Sequence, residues 1–220
     1  MKRIFYENGL SITLFALFLF SFIGQTITGH HQYNQELQDH GRAGVGVGDY
    51  LKTGHFVEAT FENWESEFLQ MGAYVWLTVF LFQKGSSESK EPGRLEEPDV
   101  IPDRSRLPAD APWPVRRGGW VLKLYQNSLT IVLLLLFATS FVLHAAGGVS
   151  EYNEEQALHG GQTVSLIQYL ATSRFWFESL QNWQSEFFSI GMMVVLSIFL
   201  RQKGSPESKP VASPHYETGA

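Results

Sequence analysis

Four apolar segments without a charged residue constrain the fold of this chain more than any other feature of its sequence. They cover residues 10–27, 68–82, 128–146 and 187–200. A helix needs about 20 mostly apolar residues to cross a bilayer, and the first and third segments come close to this length. The second and fourth have 15 and 14 residues, and they reach it if Trp64 and Trp183 lie at headgroup level. The sequence therefore predicts an all-α integral membrane protein with four transmembrane helices.

Two alternatives give the apolar segments a different role. In a soluble protein they would be buried helices, but the polar stretch between the second and third segments offers no apolar surface to cover them. The first segment also resembles a cleaved signal peptide, because Lys2 and Arg3 precede it. A similar run recurs at residues 127–141, deep inside the chain. We therefore expect the first segment to be a retained membrane helix.

An internal repeat without insertions or deletions organises the chain. Residues 8–90 align with residues 127–209 at an offset of 119 positions, and 36 of the 83 aligned positions are identical. A repeat of this kind defines a structural unit, which here is a helical hairpin with a polar loop. The predicted domains are a first hairpin at 1–90, a polar Pro-rich linker at 91–118, a second hairpin at 119–209 and a tail at 210–220.

The distribution of basic residues predicts the orientation of these hairpins. The N-terminal segment, the linker region and the tail carry thirteen Lys and Arg residues, whereas the two hairpin loops carry three. Basic residues near helix ends favour the cytoplasmic side of a membrane. Both termini and the linker are therefore expected in the cytoplasm of a bacterium, with the chain in the inner membrane and the loops outside.

The second half of each loop has the periodicity of an amphipathic helix. Large apolar residues recur there at helical spacing, so they form a stripe along one face of a helix. In the first hairpin this stripe consists of Tyr50, Val57, Phe61, Trp64 and Phe68. Such a stripe next to an apolar segment is typical of an interfacial helix, with a partner-binding face as the alternative. In the second hairpin, Ser165 followed by Gln168 predicts a capping box at its start.

The decapeptide NWESEFLQMG returns almost unchanged as NWQSEFFSIG where each short apolar segment begins. Asn63 and Asn182 could cap a helix starting there. Glu67 and Glu186 would then lie near its first turn, where the helix dipole favours an anion. The alternative is functional, because ionisable groups close to hydrocarbon often pair with a cation or another subunit.

Several other polar residues are shared by the two loops. Tyr33 and Asn34 match Tyr152 and Asn153, and His40 matches His159, each histidine being followed by a glycine. Together with the residues of the repeated decapeptide they form the candidate interaction set: Asn63, Trp64, Glu67, Asn182, Trp183, Glu186, Tyr33, Asn34, His40, Tyr152, Asn153 and His159.

Catalytic and cofactor chemistry find little support in the sequence. The chain has no cysteine, a net charge of −6 and no phosphate-binding or nucleophile motif, so neither nucleic-acid binding nor enzyme activity is expected. The His-Gly pairs are interpreted as loop terminators. His144 in the third apolar segment could bind haem or a chlorin, but no second axial ligand is apparent, so no cofactor or metal is expected.

An acidic run, Glu58, Glu62 and Glu65, falls on one helix face. The positions 119 residues later hold Phe177, Gln181 and Gln184. An acidic run present in one half only is interpreted as a solvated surface.

The hairpin sequences, from NGLSITLFALFLFSFIGQ through YNQELQDHG to GHFVEATFENWESEFLQMG, resemble an uncharacterised family of bacterial integral membrane proteins known as a domain of unknown function. The resemblance covers both hairpins as two tandem copies, and the second departs from it where HFVEATFE is replaced by RFWFESLQ. It implies an integral membrane protein and adds no mechanism.

These observations lead to two functional hypotheses. The first is a non-enzymatic assembly or envelope-associated protein that acts through its matched loops and its QKGS sequences. The alternative is a small oligomeric channel or transporter. The expected partners are the lipid bilayer and either a second copy of the chain or another membrane protein.

Overall fold

The computed structural model describes residues 2–103 and 106–219, and within these ranges the regular structure is helical, without strands. The all-α prediction is therefore confirmed. Four long helices are α1 (Lys2–Asp39), α3 (Gly54–Leu77), α6 (Ser128–Leu158) and α8 (Ser173–Phe199). The short helices are α2 (Val47–Tyr50), α4 (Trp113–Arg117), α5 (Gly119–Gln126) and α7 (Leu166–Leu170), with a 3-10 turn at Glu97–Asp99.

The first and third apolar segments lie in α1 and α6, and these two helices are long and apolar enough to cross a membrane. Among the described residues, candidate membrane spans therefore number two, α1 and α6, and not the predicted four. The helices α3 and α8, with 24 and 27 residues, are long enough, but neither contains an 18-residue stretch that is sufficiently apolar. In addition, α3 ends at Leu77, so the second segment leaves its helix five residues before it ends at Phe82.

The loop helices also differ from the prediction. The striped region does not form a separate interfacial helix, because α2 and α7 are followed by tight turns and the rest of the stripe belongs to α3 and α8. The capping box is confirmed at the start of α7, where the Ser165 and Gln168 side chains each bind the other's backbone N–H. The Pro-rich linker contains α4 and the 3-10 turn, so it is not without structure.

Asn8 and Asn127, 119 positions apart, mark matching irregularities in the helices. Asn8 has non-helical backbone angles inside α1, and Asn127 separates α5 from α6. Each side-chain amide donates to the carbonyl oxygen four residues earlier, at 3.1 Å for Asn8 and 2.8 Å for Asn127. The side chains thus satisfy a carbonyl where the helix is interrupted.

The chain forms two compact units, and each contains residues from both halves of the sequence. Unit 1 comprises Met1–Phe61 with Val142–Phe175, and unit 2 comprises Glu62–Phe141 with Trp176–Ala220. The buried hydrophobic cluster of unit 1 is formed by Tyr33, Leu37 and Tyr50, with Val45 and Phe56 packed against it.

In unit 1, glycines allow α3 and α6 to approach closely. A Cβ atom on Gly147 of α6 would lie 2.5 Å from the backbone nitrogen of Glu58, and one on Gly54 would lie 2.4 Å from that of Glu151. Real Cβ atoms do not come this close to backbone, so both positions require glycine. Small residues that bring helix backbones together are a common means of packing helices in membranes.

We predict that Gly147→Ala destabilises the protein by roughly 1–3 kcal/mol, because the added methyl group must push α3 away. Gly191→Ala in α8 is the matched control, since nothing lies within 4 Å of a Cβ at this helical position. Alanine favours helix over glycine by about 1 kcal/mol, so this control should be neutral or stabilising. Thermal unfolding of the detergent-purified variants measures both. Equal melting temperatures would contradict the close approach.

Candidate functional site

The matched tyrosines at the ends of α2 and α7 both rest on a glycine of a long helix in unit 1. A Cβ on Gly29 of α1 would lie 2.2 Å from the Tyr50 hydroxyl, and one on Gly148 of α6 would lie 2.3 Å from the Tyr169 hydroxyl. Tyr50 is 1 % exposed and Tyr169 is fully buried. These contacts account for two Tyr-Gly pairs that recur at the 119-residue offset.

Asn34 and Asn153 close the two loops in the same way. The Asn34 carboxamide donates to the Val45 carbonyl at 3.0 Å and accepts from the Val45 N–H at 2.7 Å. Asn153 makes the same pair of bonds with Val164, at 2.9 and 2.7 Å. Each side chain therefore replaces a backbone partner and fixes the turn that leads into α2 or α7.

The matched tyrosines one residue earlier make different contacts. The Tyr33 hydroxyl donates to the Glu154 carboxylate at 2.8 Å. The ring of Tyr152 instead lies 5.8 Å from the Arg174 guanidinium, in a cation–π contact. Both candidate residues are thus engaged within unit 1.

His40 and His159 follow the last residues of α1 and α6. Gly41 and Gly160 after them have a φ of 71°, the left-handed conformation with which helices often end. Each His-Gly pair therefore lies at the end of a long helix rather than inside a loop. Both histidines are exposed, and their ring centroids lie 5.3 Å apart.

The acidic run on α3 is the main correction to the sequence analysis, because two of its three carboxylates are buried rather than solvated. Glu58 is 7 % exposed and Glu65 is fully buried. In unit 1, the Tyr169 hydroxyl donates to Glu58 at 3.2 Å, and the Arg174 guanidinium lies 4.0 Å from the same oxygen.

In unit 2, the other two carboxylates of the run bind residues of the repeated decapeptide. The Trp183 indole N–H donates to Glu65 at 2.9 Å, and the Asn182 amide donates to Glu62 at 2.5 Å. A buried carboxylate is stable only when donors replace its water. The second half of the sequence thus supplies donors to carboxylates of the first half.

The helix-capping role predicted for Asn63 and Asn182 is wrong. Both residues lie inside continuous helices, α3 and α8, which begin nine residues before them. Glu67 and Glu186 are therefore not in a first turn, and the helix dipole does not explain them. Glu67 is exposed and Glu186 is half-buried. Burial raises the pKa of Glu186, and the negative charge of the matched Glu67 raises it further.

Other titratable groups of unit 1 surround the end of α1. Burial lowers the pKa of His55, against the opposing effect of Glu36 and Glu154. Its Nδ1 lies 3.0 Å from the Tyr50 hydroxyl. Glu36 and Glu154 also line a cavity of about 10 Å³ together with Glu151 and Glu155. This volume holds roughly one water molecule.

His144 is fully buried in α6, where its ring stacks on Phe175 with centroids 4.9 Å apart. A ring nitrogen lies within 4.8 Å of a Glu58 carboxylate oxygen. Gln25, the residue at the matching position of α1, donates instead to the Ala59 carbonyl at 3.3 Å. In unit 1, His144 and Gln25 are therefore polar residues near the loop ends of the two long apolar segments.

The two QKGS sequences form turns in unit 2. The Gln83 N–H binds the Ser89 hydroxyl at 2.8 Å, and the Gln202 N–H binds the Ser208 hydroxyl at 2.9 Å. Lys209 is buried, and its ammonium group lies within hydrogen-bonding distance of four backbone carbonyl oxygens, including that of Glu217 at 2.9 Å. The residues of both QKGS turns are therefore hydrogen-bonded within unit 2. Glu88 and Lys90, which follow the first turn, line a cavity of about 530 Å³.

Sequence reasoning missed the buried carboxylates of α3. Glu58, Glu62 and Glu65 follow helical spacing directly beside the apolar stripe of Phe61 and Trp64, so they lie at its edge. This position was the available signal, because a carboxylate beside a packed stripe is readily covered by the neighbouring helix.

The helices and their polar contacts define the class of this protein: an all-helical protein with two candidate membrane-spanning helices and a hydrogen-bonded polar interior. The model of a family described as a domain of unknown function, DUF6766, matches residues 1–220, and the chain belongs to that family. No protein with a curated description and no solved structure matches the chain.

We predict that Trp183→Phe destabilises the protein by about 1–3 kcal/mol, because the buried Glu65 loses a donor. Glu65→Gln should cost less, since the amide oxygen still accepts the indole N–H. Trp76→Phe is the matched control, because Trp76 is 55 % exposed. Chemical or thermal unfolding followed by circular dichroism measures the differences. If Trp183→Phe and Trp76→Phe lowered the free energy of unfolding equally, the Trp183–Glu65 hydrogen bond would not be stabilising.

Proposed function

We propose that this chain is a non-enzymatic integral membrane protein of the bacterial inner membrane that acts as an assembly element. The proposal rests on α1. None of the side chains in its most apolar 18-residue stretch is buried within the chain. In a bilayer this leaves the helix free to pack against lipid or against another protein.

The surface of α1 is suited to packing against a second helix. Ser21, Gly24 and Thr28 are exposed and follow each other at spacings of three and four residues. Small residues on one helix face allow close approach in a membrane. A second copy of the chain is the partner we propose, with the bilayer as the surrounding medium.

The proposed topology has two hairpins in parallel orientation, with both termini and the linker in the cytoplasm. The shorter apolar parts of α3 and α8 would return the chain across the membrane. The recurrence of side-chain bonds at the 119-residue offset supports hairpins of the same construction. The low number of basic residues in the loops supports their outside location.

Labelling of single cysteines tests this topology, and the cysteine-free chain is a suitable background. Ala43→Cys and Gln162→Cys lie in exposed, matching loop positions, and Leu95→Cys lies in the linker. An impermeant maleimide on intact cells should label the two loop positions and not the linker. If only α1 and α6 cross the membrane, positions 43 and 162 lie on opposite sides and only one is labelled. Permeabilised cells provide the control for reactivity.

A transport function is the second candidate, and the buried carboxylates of α3 favour it. Ionisable groups beside membrane-spanning segments often mark ion pathways. The two functions differ in a measurement on proteoliposomes. The assembly function predicts a discrete oligomer by native mass that is lost in Gly24→Leu, together with no proton or cation flux. The transport function predicts a flux that disappears in Glu58→Gln or Glu65→Gln and persists in the Glu67→Gln and Glu186→Gln double variant. This result would contradict the assembly function.

A further inference from the structure

We propose that His40 and His159 form a binding site for a divalent transition-metal cation such as Zn²⁺, Cu²⁺ or Ni²⁺. The two residues come from different long helices, α1 and α6, and meet within unit 1 with ring centroids 5.3 Å apart and ring planes at 73°. Both are exposed, so a cation in solution has access to them.

The hydrogen bonds of the two rings leave Nε2 as the nitrogen available to bind a metal. His40 Nδ1 lies 2.9 Å from the Glu36 carbonyl oxygen, and His159 Nδ1 lies 2.9 Å from the Glu155 carbonyl oxygen. A carbonyl oxygen only accepts, so each Nδ1 carries the proton in this arrangement. Each neutral ring then presents the lone pair of Nε2. Histidines that bind metals typically donate their other N–H to a carbonyl or carboxylate in this way.

The separation of the rings matches a shared ion. With metal–nitrogen bonds of about 2.1 Å and a near-tetrahedral angle, the centroids of two imidazoles on one ion lie roughly 5 Å apart. Imidazole nitrogen is a ligand that suits Zn²⁺, Cu²⁺ and Ni²⁺. The remaining coordination positions would be taken by water.

The ends of the helices hold both rings and favour a positive charge. At the end of α1 the Gly41 N–H binds the Gln38 carbonyl and the Arg42 N–H binds the Leu37 carbonyl, at 2.9 and 2.8 Å. These bonds fix the backbone at His40. Two helix C-termini point toward the pair, and their partial negative charges stabilise a cation. A bound ion would therefore connect the ends of α1 and α6.

The site is tested on the full-length protein in detergent or nanodiscs, with Zn²⁺ titrated against a chelating indicator and Cu²⁺ followed by electron paramagnetic resonance. We expect one Zn²⁺ per chain and a Cu²⁺ spectrum with two coordinating imidazole nitrogens. His40→Ala and His159→Ala should each weaken binding at least tenfold, and the double variant should add little, because both residues bind one ion. Zn²⁺ should also raise the melting temperature of the wild-type protein and not that of the variants.

His31→Ala is the matched control, because His31 is an exposed histidine of the same helix; it should bind as the wild type does. His40→Asn and His159→Asn provide variants that retain a residue favoured at helix ends, in case the alanine variants fold poorly. Binding that survives both single substitutions would overturn the proposal. So would small, additive losses, which indicate separate surface histidines, or an equal loss in His31→Ala.

Discussion

The bonds between the buried carboxylates of α3 and the donors that cover them are the interaction on which the arrangement of the helices depends. A carboxylate loses strong hydration when it is buried, and only well-placed donors compensate for this. In unit 1, Glu58 accepts a hydrogen bond from Tyr169 and lies 4.0 Å from the Arg174 guanidinium. In unit 2, Glu65 accepts a hydrogen bond from Trp183. These bonds connect α3 to Tyr169 of α7 and to Trp183 of α8 at defined positions.

Several residues shared by the two halves of the sequence have a structural role of the same kind. Tyr33, Asn34 and Asn153 satisfy carboxylates or loop backbone inside unit 1, and Asn182 and Trp183 do so inside unit 2. Their identities are explained by the fold. By contrast, four candidate residues are exposed, namely His40, Asn63, Glu67 and His159. Candidate interaction sites are thus concentrated at fewer positions than the shared residues alone indicate.

The sequence predicts features that local chemistry determines. The helical fold, the Ser165 capping box and the helix ends at Gly41 and Gly160 depend on residues within a few positions of each other. The environment of Glu65 could not be predicted, because its donor lies 118 residues away. The predicted cap at Asn63 was wrong for a related reason. The helix start depends on the Tyr50–Gly54 turn upstream, and the local preference of Asn for a cap was overridden by the continuous helix.

The carboxylates of α3 have one further consequence, for the way in which the two halves of the chain can be combined. Positions 177, 181 and 184 of the second half hold Phe and Gln where the first half has Glu58, Glu62 and Glu65. The second half instead supplies the side chains that contact these carboxylates, which are Tyr169, Arg174, Asn182 and Trp183. In these contacts the first half of the sequence supplies acceptors and the second half supplies donors, so the two halves have different roles. The linker between them therefore does more than connect: by joining one of each kind in a single polypeptide, it fixes their stoichiometry at one to one during synthesis.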